Sequence, residues 1–385
     1  MRIVVISNDV VPGFDVPVAA PGLRAAGLAE GLRSHGHEVS VSVPADLMRQ
    51  LFGSQLPPDP HGVHTVEPTA LNDFARAQQA EVVVFINSNL TPHLDPGADV
   101  HYVYDLFAPK LLELRASGSA TQAGIEQLTQ TKVRALAMAD SVWVNGGRKI
   151  AYAREWLDRA DVVAARKDRS ATPGQTISLV EMTVPLPVGV DPQRPDRAQA
   201  LHPLRIGMAG YAQRWSSLDE VHPGHQLLID RGHELHVLSP GHWGGSTEPP
   251  PNALPDAAIY HEGPLRYQDF ARWVQSTDVM VDVFRPSPER RMAMITRSAV
   301  ALRLGVPLIH AVDSEISDIV REHDAGWVLD PDNRTSWNQV CDELADDAER
   351  ARKTAGAIRA SEERFAPLVA VAEASEQLRT LGTAS

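Results

Sequence analysis

The chain has 385 residues, of which 43% are hydrophobic and 22% are charged. This length is enough for two domains of ordinary size, and the balanced composition excludes disordered, collagen-like and coiled-coil proteins. The formal net charge of −13 disfavours general binding to nucleic acid or to an anionic membrane surface, although it leaves room for one local basic phosphate site.

Cysteine usage and the apolar runs indicate a compartment. The single cysteine, Cys341, cannot form an internal disulfide, and we predict that it is an ordinary packed thiol. No apolar run in the sequence approaches the roughly 18 residues that span a bilayer. We therefore expect a cytoplasmic globular protein without a transmembrane segment, beginning with a β-strand.

In chain order, the predicted elements fall into two halves that repeat one pattern. The strand "RIVVISND" from Arg2 leads through a loop and a helix to "GHEVSVSVP" from Gly36. The strand "RIGMAGYA" from Arg205 leads in the same way to "GHELHVLSP" from Gly232. Each Gly-His-Glu turn stands where a helix needs a left-handed C-terminal residue before a buried parallel strand. Both halves are therefore predicted to open as βαβ units, and coincidence between two common turns is the alternative.

Further apolar runs extend each half as a series of strands. They begin at Glu81, Val100, Ser141 and Thr176 in the first half, and at Ala258, Val279 and Pro307 in the second. Helical stretches separate most of them, which predicts an α/β fold with two doubly wound parallel sheets and helices on both faces. Ligands of such sheets bind at the carboxyl ends of the strands.

A proline-rich segment without periodicity, Val184–Pro203, is interpreted as the connection between the halves. We predict an N-terminal domain over residues 1–195, a linker over 196–203 and a C-terminal domain over 204–365. Residues 366–385 are predicted to form a helix that can cross back to the N-terminal domain. Two sheets joined in this way are expected to form a cleft between their strand ends.

The loop after the first strand lacks the common nucleotide-binding motifs. In "SNDVVPGFDVPVAAPG", Gly13 and Gly22 are too far apart for G-x-G-x-x-G, and no Walker lysine motif occurs, which disfavours NAD and ATP P-loop sites. Proline near the first turn of the next helix suits an anion or a sugar hydroxyl at the helix N-terminus. A simple tight loop is an equally good interpretation.

Two more motifs stand at predicted strand ends. Asp105 follows "VHYVY", where catalytic groups of α/β folds gather, and it could instead cap the next helix. Asn145 opens "NGGRK", whose glycines either let the backbone approach a ligand or form a plain turn.

Histidines cluster in the second half, which raises the question of a metal site. The cluster consists of His222, His225, His233, His236 and His242. The cluster lacks the converging, fixed spacing of a zinc site, so we interpret these residues as surface histidines and predict no metal.

The most informative stretch is "PSPERRMAMITRSAVALRLGVPLI" from Pro286. A helix beginning near Glu289 and ending at Gly305 would bury one apolar stripe. That stripe would carry Met292, Ile295, Ala299 and Leu302. Arg290, Arg291 and Arg297 would then lie near the start and on the opposite side. A helix N-terminus with guanidinium groups suits a diphosphate, and a solvated arginine face is the alternative.

Five elements in order resemble the GT-B fold glycosyltransferases, specifically the retaining family 4, over nearly the whole chain. The first is the strand, loop and helix that lead to "GHEV", and the second is "VPLPVGVDP", which resembles the family's "IPNGVDP". The third is "HEGPLRYQDFARWVQSTDVMVDVFRPS", which resembles "FLGYVPDEELPELYAAADVFVLPS". The fourth is "RLGVPLI", which resembles "ACGTPVI", and the fifth is "VDSEISDIVREHDAGWVLDPDN", which resembles "GGIPEIVEDGVTGLLVPPGD". The resemblance implies two Rossmann-like domains facing across a cleft. It also implies a nucleotide-diphosphate sugar held mainly by the C-terminal domain and an acceptor on the N-terminal domain, without an obligatory metal or other cofactor.

The resemblance also implies roles for individual residues. The implied donor ligands are Arg214, Arg297 and Arg290 for the diphosphate, Glu289 for the sugar, and Gly263 and Leu265 for the base. Asp105 and the loop from Gly13 to Gly22 would face the acceptor. The chain departs from the family where its paired glutamates would fall, because Met292 and Val300 stand there; Glu289 takes the first role and the second has no equivalent.

The sequence therefore predicts a hexosyltransferase-type glycosyltransferase that moves a sugar from a nucleotide-diphosphate sugar to an acceptor hydroxyl, with retention. The acceptor could be a saccharide, a lipid-linked sugar or a small molecule, and no nucleic acid partner is expected. A sugar-nucleotide epimerase of the same fold and a catalytically degenerate nucleotide-sugar-binding protein are the alternatives.

Overall fold

The computed structural model describes residues 1–97, 99–118, 120–166, 176–192, 203–210, 222–238 and 254–382. The chain divides into two compact units. Unit 1 comprises Met1–Arg115, Ser119–Pro185 and Ala366–Ser385, and unit 2 comprises Ala116–Gly118 and Leu186–Phe365. The division between Pro185 and Leu186 falls inside the proline-rich segment. Of the predicted linker, residues 196–202 lie outside the described ranges.

Unit 1 is built on a parallel sheet. Its strands are β1 Arg2–Ile6, β2 Glu38–Pro44, β3 Val63–Val66, β4 Val82–Ile86, β5 His101–Leu106, β6 Ser141–Val144 and β7 Thr176–Leu179. Its helices before the division are α1 Ala20–Ser34, α2 Ala45–Phe52, α3 Leu71–Ala77, α4 Lys110–Ala116, α5 Gln122–Met138, α6 Arg148–Leu157 and α7 Ala160–Arg166.

Unit 2 has the same construction. Its strands are β8 Arg205–Met208, β9 Glu234–Leu238, β10 Ile259–His261, β11 Val279–Asp282, β12 Leu308–Ala311 and β13 Gly326–Leu329. Its helices are α8 His222–Asp230, α9 Tyr267–Gln275, α10 Pro288–Met292, α11 Thr296–Arg303, α12 Glu315–His323, α13 Arg334–Leu344 and α14 Asp347–Ala360.

The two sheets share one strand order, which confirms the predicted fold class of two parallel α/β sheets. The order is β3-β2-β1-β4-β5-β6-β7 in unit 1 and β10-β9-β8-β11-β12-β13 in unit 2. In each sheet the order reverses beside the first strand, between β1 and β4 and between β8 and β11. Ligands of open α/β sheets bind outside the strand ends at such switch points.

The repeated Gly-His-Glu turn occurs in both units as predicted. Gly36 and Gly232 have φ values of +84° and +86°, which glycine adopts without the steric cost of a Cβ atom. All the strands predicted from the apolar runs are present. The short strands β3 and β13 were not predicted, because β3 mixes polar with apolar residues and β13 begins with a glycine, which disfavours a strand.

The C-terminal helices α15 Pro367–Ala370 and α16 Ala372–Gly382 pack within unit 1. A Cβ atom on Gly31 of α1 would lie 2.3 Å from the Pro367 carbonyl oxygen, so α15 contacts α1 at backbone distance. His37 Nε2 lies 2.8 Å from Ser375 Oγ, which attaches α16 to the start of β2.

The predicted single helix from Glu289 to Gly305 is wrong, because it is divided into α10 and α11. The Ser287 side chain caps α10, which ends at Met292, and α11 begins at Thr296. The break leaves Met292 only partly buried, whereas Ile295, Ala299 and Leu302 are buried as predicted. The predicted end is correct, since α11 stops at Arg303 and Gly305 follows with a φ of +71°.

Three of the histidines interpreted as surface residues are buried, which corrects that interpretation. His225 packs edge-on against Trp337 with ring centroids 6.2 Å apart, and His236 stacks on His261 at 5.1 Å. His233 is also buried, whereas His242 and the side chain of His222 lie outside the described part of the chain. Cys341 is a packed thiol as predicted, and burial raises its pKa to about 11.

Among the residues that the structure describes, no helix has the length and apolar character needed to cross a membrane.

A buried lysine in unit 1 carries the first testable prediction. Lys132 Nζ donates to Tyr152 Oη at 2.8 Å and lies 4.1 Å from the ring centroid of Trp156. Burial lowers the pKa of Lys132 to about 6, whereas a lysine in an unfolded chain titrates near 10.4. Between these pH values the unfolded chain binds one more proton, so stability rises with pH. We expect Lys132→Met to flatten this rise and to stabilise the protein at pH 7.

Urea unfolding of wild type and variant from pH 6 to pH 9 measures the effect. Arg49→Met is the control, because Arg49 is an exposed cation of the same unit that pairs with Glu67. A wild-type slope that survives in Lys132→Met would assign the pH dependence to other groups.

Candidate functional site

At the switch point of unit 2, one arginine lies over a glycine. Gly210 follows β8, Asp282 ends β11, and Arg297 stands in the first turn of α11. Arg297 Nη2 donates to Asp282 Oδ1 at 2.5 Å, and the Arg297 side chain keeps 23% of its surface exposed. A Cβ atom on Gly210 would lie 2.9 Å from Arg297 Cδ, so the arginine side chain passes close to the Gly210 backbone, whose φ of +132° favours glycine.

Asp282 is held as an anion among positive and polar groups. Its Oδ2 accepts a hydrogen bond from Ser298 Oγ. Burial alone would raise the pKa of Asp282, but the charges of Arg297, His310 and Arg290 and the Ser298 hydrogen bond outweigh burial and leave the pKa below its usual value. Burial lowers the pKa of His310, whose Nδ1 lies 2.8 Å from the Ala311 carbonyl oxygen. The site is therefore fixed before any ligand binds.

Glu289 and Arg290 are packed together behind this arginine. Glu289 Oε2 lies 3.5 Å from Arg290 Nε, and both side chains are almost fully buried. The Arg290 guanidinium lies 4.8 Å above the ring of Phe284, and this ring meets His310 edge-on at 5.4 Å. Burial of Arg290 rules out the solvated arginine face for this residue. Arg291, by contrast, is exposed and pairs with Asp313.

Of the residues predicted to bind the base and part of the diphosphate, the structure describes Gly263 and Leu265 but not Arg214. Gly263 and Leu265 lie half-buried between β10 and α9, with a cis peptide bond joining Gly263 to Pro264. Their role in binding a base stays a prediction. Arg214 lies outside the described residues.

In unit 1, the Asp105 carboxylate forms an ion pair with Arg24, a residue that was not identified from the sequence. Arg24 Nε donates to Asp105 Oδ2 at 3.0 Å and Arg24 Nη2 to Oδ1 at 2.9 Å, and both side chains have no exposed surface. Arg24 also donates to the carbonyl oxygens of Val180 and Glu181. The ion pair therefore joins α1, β5 and the segment after β7, and its complete burial keeps the Asp105 carboxylate away from solvent. The role of Asp105 towards the acceptor stays a prediction, which the complete burial of the carboxylate disfavours.

The loop that contains Gly13 and Gly22 folds back on itself, so that the backbone at Val10 contacts the backbone at Gly22. A Cβ atom on Gly22 would lie 1.7 Å from the Val10 carbonyl oxygen, so the close approach at Gly22 is made by the chain itself. Gly13 is exposed and has a φ of +114°. The structure favours the tight-loop alternative at Gly22.

Asp9 in the same loop is a second residue that the sequence analysis missed. Asp9 follows β1 and is buried, with 8% of its surface exposed. Burial raises its pKa to about 6. Its place in "SND" directly after the first strand was the available signal, because polar groups at the carboxyl end of a switch-point strand face ligands.

No family model matches the sequence, and no curated protein sequence matches it. Solved structures do match, over almost the whole chain. Sucrose-phosphate synthase from Thermosynechococcus elongatus is similar over 100% of both chains, with a TM-score of 0.72 and 14% identity. Anabaena Alr3699/HepE in complex with UDP and glucose is similar over 99% of this chain and 100% of that chain, with a TM-score of 0.64 and 13% identity.

The alpha-glucosyltransferase AGT in complex with UDP is also similar, over 98% of this chain and 100% of that chain, with a TM-score of 0.63 and 11% identity. Identities at this level establish the fold alone. The chain has the fold of the GT-B glycosyltransferases, which confirms the resemblance found in the sequence at the level of the fold.

Proposed function

We propose that the chain is a glycosyltransferase that moves a sugar from a nucleotide-diphosphate sugar to an acceptor hydroxyl. The observation that carries the proposal is the arrangement of Arg297 over Gly210 at the β8/β11 switch point, with Asp282 fixing the guanidinium. An oriented and partly exposed guanidinium at a strand end suits a diphosphate, which it can hold with two parallel hydrogen bonds.

The start of α11 adds to this anion site. Ile295 at its N-cap offers no side-chain hydrogen bond, so within the described part of the chain the first backbone N–H groups of the helix lack a side-chain cap. They carry the positive end of the helix dipole, which favours a negative ligand. We assign the donor diphosphate to Arg297 and this helix start, with support from Arg290 and Arg214.

During transfer the bond between the sugar and the diphosphate breaks, and negative charge grows on the leaving diphosphate. Cations that are fixed in advance stabilise this charge without reorganising, which lowers the barrier and needs no metal. Glu289 would hydrogen-bond the donor sugar, and Gly263 and Leu265 would flank the base. Because the solved structures with this fold include complexes with UDP, uridine diphosphate is the first nucleotide to test.

Three further features belong to the same proposal: the sugar is a hexose, its anomeric configuration is retained, and the acceptor binds to unit 1. The epimerase alternative would convert a nucleotide sugar with no acceptor present. The degenerate-protein alternative would bind nucleotide without turnover.

Calorimetry with UDP, followed by a transfer assay with UDP-glucose and mixed neutral glycosides, separates these functions. We expect saturable UDP binding and a glycoside product whose anomeric configuration NMR reports. Conversion of UDP-glucose without an acceptor would favour the epimerase, and UDP binding without hydrolysis or transfer would favour the degenerate protein.

Glu289→Gln tests the assignment of the donor sugar. Because Glu289 is proposed to contact the sugar and not the diphosphate, UDP affinity should stay nearly unchanged while the transfer rate falls. Calorimetry and the transfer assay on the same preparation measure both quantities. Equal losses of UDP affinity in Glu289→Gln and Arg297→Ala would instead make Glu289 a structural partner of Arg290 or a ribose ligand.

A further inference from the structure

Asp9 lies just beyond the end of β1, at the switch point of unit 1. It follows β1, where the strand order reverses towards β4. We propose that the Asp9 carboxylate accepts a hydrogen bond from a neutral hydroxyl group of the acceptor. This inference rests on the proposed function and goes beyond it, because it names the residue and the chemical class of the acceptor at that point.

The loop holds Asp9 in one position. Ser7 Oγ donates to the Asp9 carbonyl oxygen at 2.7 Å and accepts from Asp9 N at 3.1 Å. The Val10 N–H donates to Asp9 Oδ1 at 2.7 Å, and the Val10 carbonyl oxygen lies against Gly22 of α1. Ser7 therefore holds the Asp9 backbone, and the Val10 N–H orients the carboxylate through Oδ1, as a binding residue requires.

One carboxylate oxygen is left for a ligand. Oδ2 of Asp9 accepts no hydrogen bond from the residues that the structure describes, and it is not sealed from solvent. Asp105 differs, because Arg24 takes both of its oxygens in a fully buried ion pair. Of these two aspartates, Asp9 has an oxygen accessible to a ligand donor, whereas the Asp105 carboxylate is fully buried.

Keeping Asp9 buried without a partner on Oδ2 destabilises its ionised form. Burial raises the pKa of Asp9 to about 6, and the Val10 hydrogen bond and the charge of Lys110 offset only part of the effect. Lys110 at the start of α4 is the charged group that acts on Asp9, and it is itself paired with Glu113. Such an unfavourable burial persists at sites where a ligand compensates it.

The negative charge of the Asp9 carboxylate determines which acceptor groups can bind beside it. An ionised carboxylate accepts from a neutral hydroxyl with a charge-assisted hydrogen bond, whereas a phosphate or a carboxylate at that point would be repelled. A neutral glycoside therefore fits this position, and a sugar phosphate that places its phosphate there does not.

The test compares Asp9→Asn with Asp73→Asn, an equal loss of charge at an exposed position of unit 1 outside this loop. Methyl α-D-glucopyranoside is the acceptor probe and UDP-glucose the donor. We expect Asp9→Asn to raise the acceptor KM about 10- to 150-fold, with a smaller change in kcat and an unchanged UDP affinity. Asp73→Asn should behave as wild type. In wild type the acceptor KM should also rise as pH falls through about 6, and this dependence should be lost in Asp9→Asn.

Unfolding provides a second readout that needs no acceptor. Because the folded pKa of Asp9 lies above the unfolded value near 3.9, the folded chain binds more protons between these pH values, and wild type loses stability as pH rises from about 4 to about 6. Asp9→Asn removes this loss and should be more stable than wild type at pH 8.

Each contrary result has its own meaning. An unchanged acceptor KM, or an Asp9→Asn variant less stable than wild type at pH 8, overturns the inference and makes the carboxylate a structural part of the loop. A wild type that binds UDP and hydrolyses UDP-glucose but uses no hydroxyl probe also overturns it, while the donor site stands. A wild type that does not bind UDP overturns the proposed function and this inference together.

Discussion

Asp105→Ala should destabilise unit 1 by about 3–5 kcal/mol, because it leaves the fully buried Arg24 guanidinium without its carboxylate. Arg24 would keep its hydrogen bonds to the carbonyl oxygens of Val180 and Glu181, which accept hydrogen bonds but do not neutralise the charge. Urea unfolding at pH 7 measures the loss. Any fall in transfer activity should follow the folded fraction.

Two variants control this experiment. Glu67→Ala removes the carboxylate of an exposed ion pair with Arg49, and little change is expected because water solvates the remaining charge. The double variant Arg24→Met and Asp105→Leu removes both buried charges and should recover much of the stability. An Asp105→Ala protein that is as stable as wild type but inactive would restore the expectation that Asp105 acts on the acceptor.

Much of the fold could be predicted because its signals are local and repeated. Apolar runs identify buried parallel strands, and the two Gly-His-Glu turns identify where a helix ends and a strand begins. The strands β3 and β13 were missed because β3 has no continuous apolar run and β13 begins with a glycine. The break between α10 and α11 was missed because Met292, Ile295 and Ala299 keep helical spacing across it, and spacing does not reveal that the backbone at Ala293 is extended.

The site residues were harder to predict because their roles depend on contacts between distant elements. Arg24 stands among alanines and leucines in "PGLRAAGLAEGLRS", and only its position on the buried face of α1 indicated a buried partner. Its partner lies 81 residues away at the end of β5. Arg297 was identified from the sequence, whereas Asp282, which orients it, was not.

The two switch points therefore use aspartate in different ways. Asp282 fixes an arginine that remains partly exposed, and Asp9 retains an oxygen that no described residue uses. Asp105 is the third case, because its ion pair with Arg24 is fully buried and stabilises the fold. Burial and the number of occupied oxygens distinguish these cases, and neither quantity is visible in the sequence.

Arg297→Ala should weaken UDP binding about 10- to 150-fold, because a charge-assisted hydrogen bond to a diphosphate contributes about 1.5–3 kcal/mol. Calorimetry with UDP alone measures the effect without any sugar. Arg297→Lys should also lose affinity, because Asp282 already engages one Nη atom and a single ammonium group cannot reproduce the planar fork that serves both partners.

The matched control for Arg297 is Arg291→Ala in the same segment. Arg291 is exposed and pairs with Asp313, so its loss should leave UDP affinity near the wild-type value.

Asp282→Asn provides the complementary test, since it keeps Arg297 but removes the carboxylate that orients the guanidinium. If orientation by Asp282 matters, the two changes should be non-additive, with the double variant Arg297→Ala and Asp282→Asn binding UDP as weakly as Arg297→Ala alone. Equal UDP affinity in Arg297→Ala and Arg291→Ala would place the diphosphate away from α11 and remove the observation on which the proposed function depends.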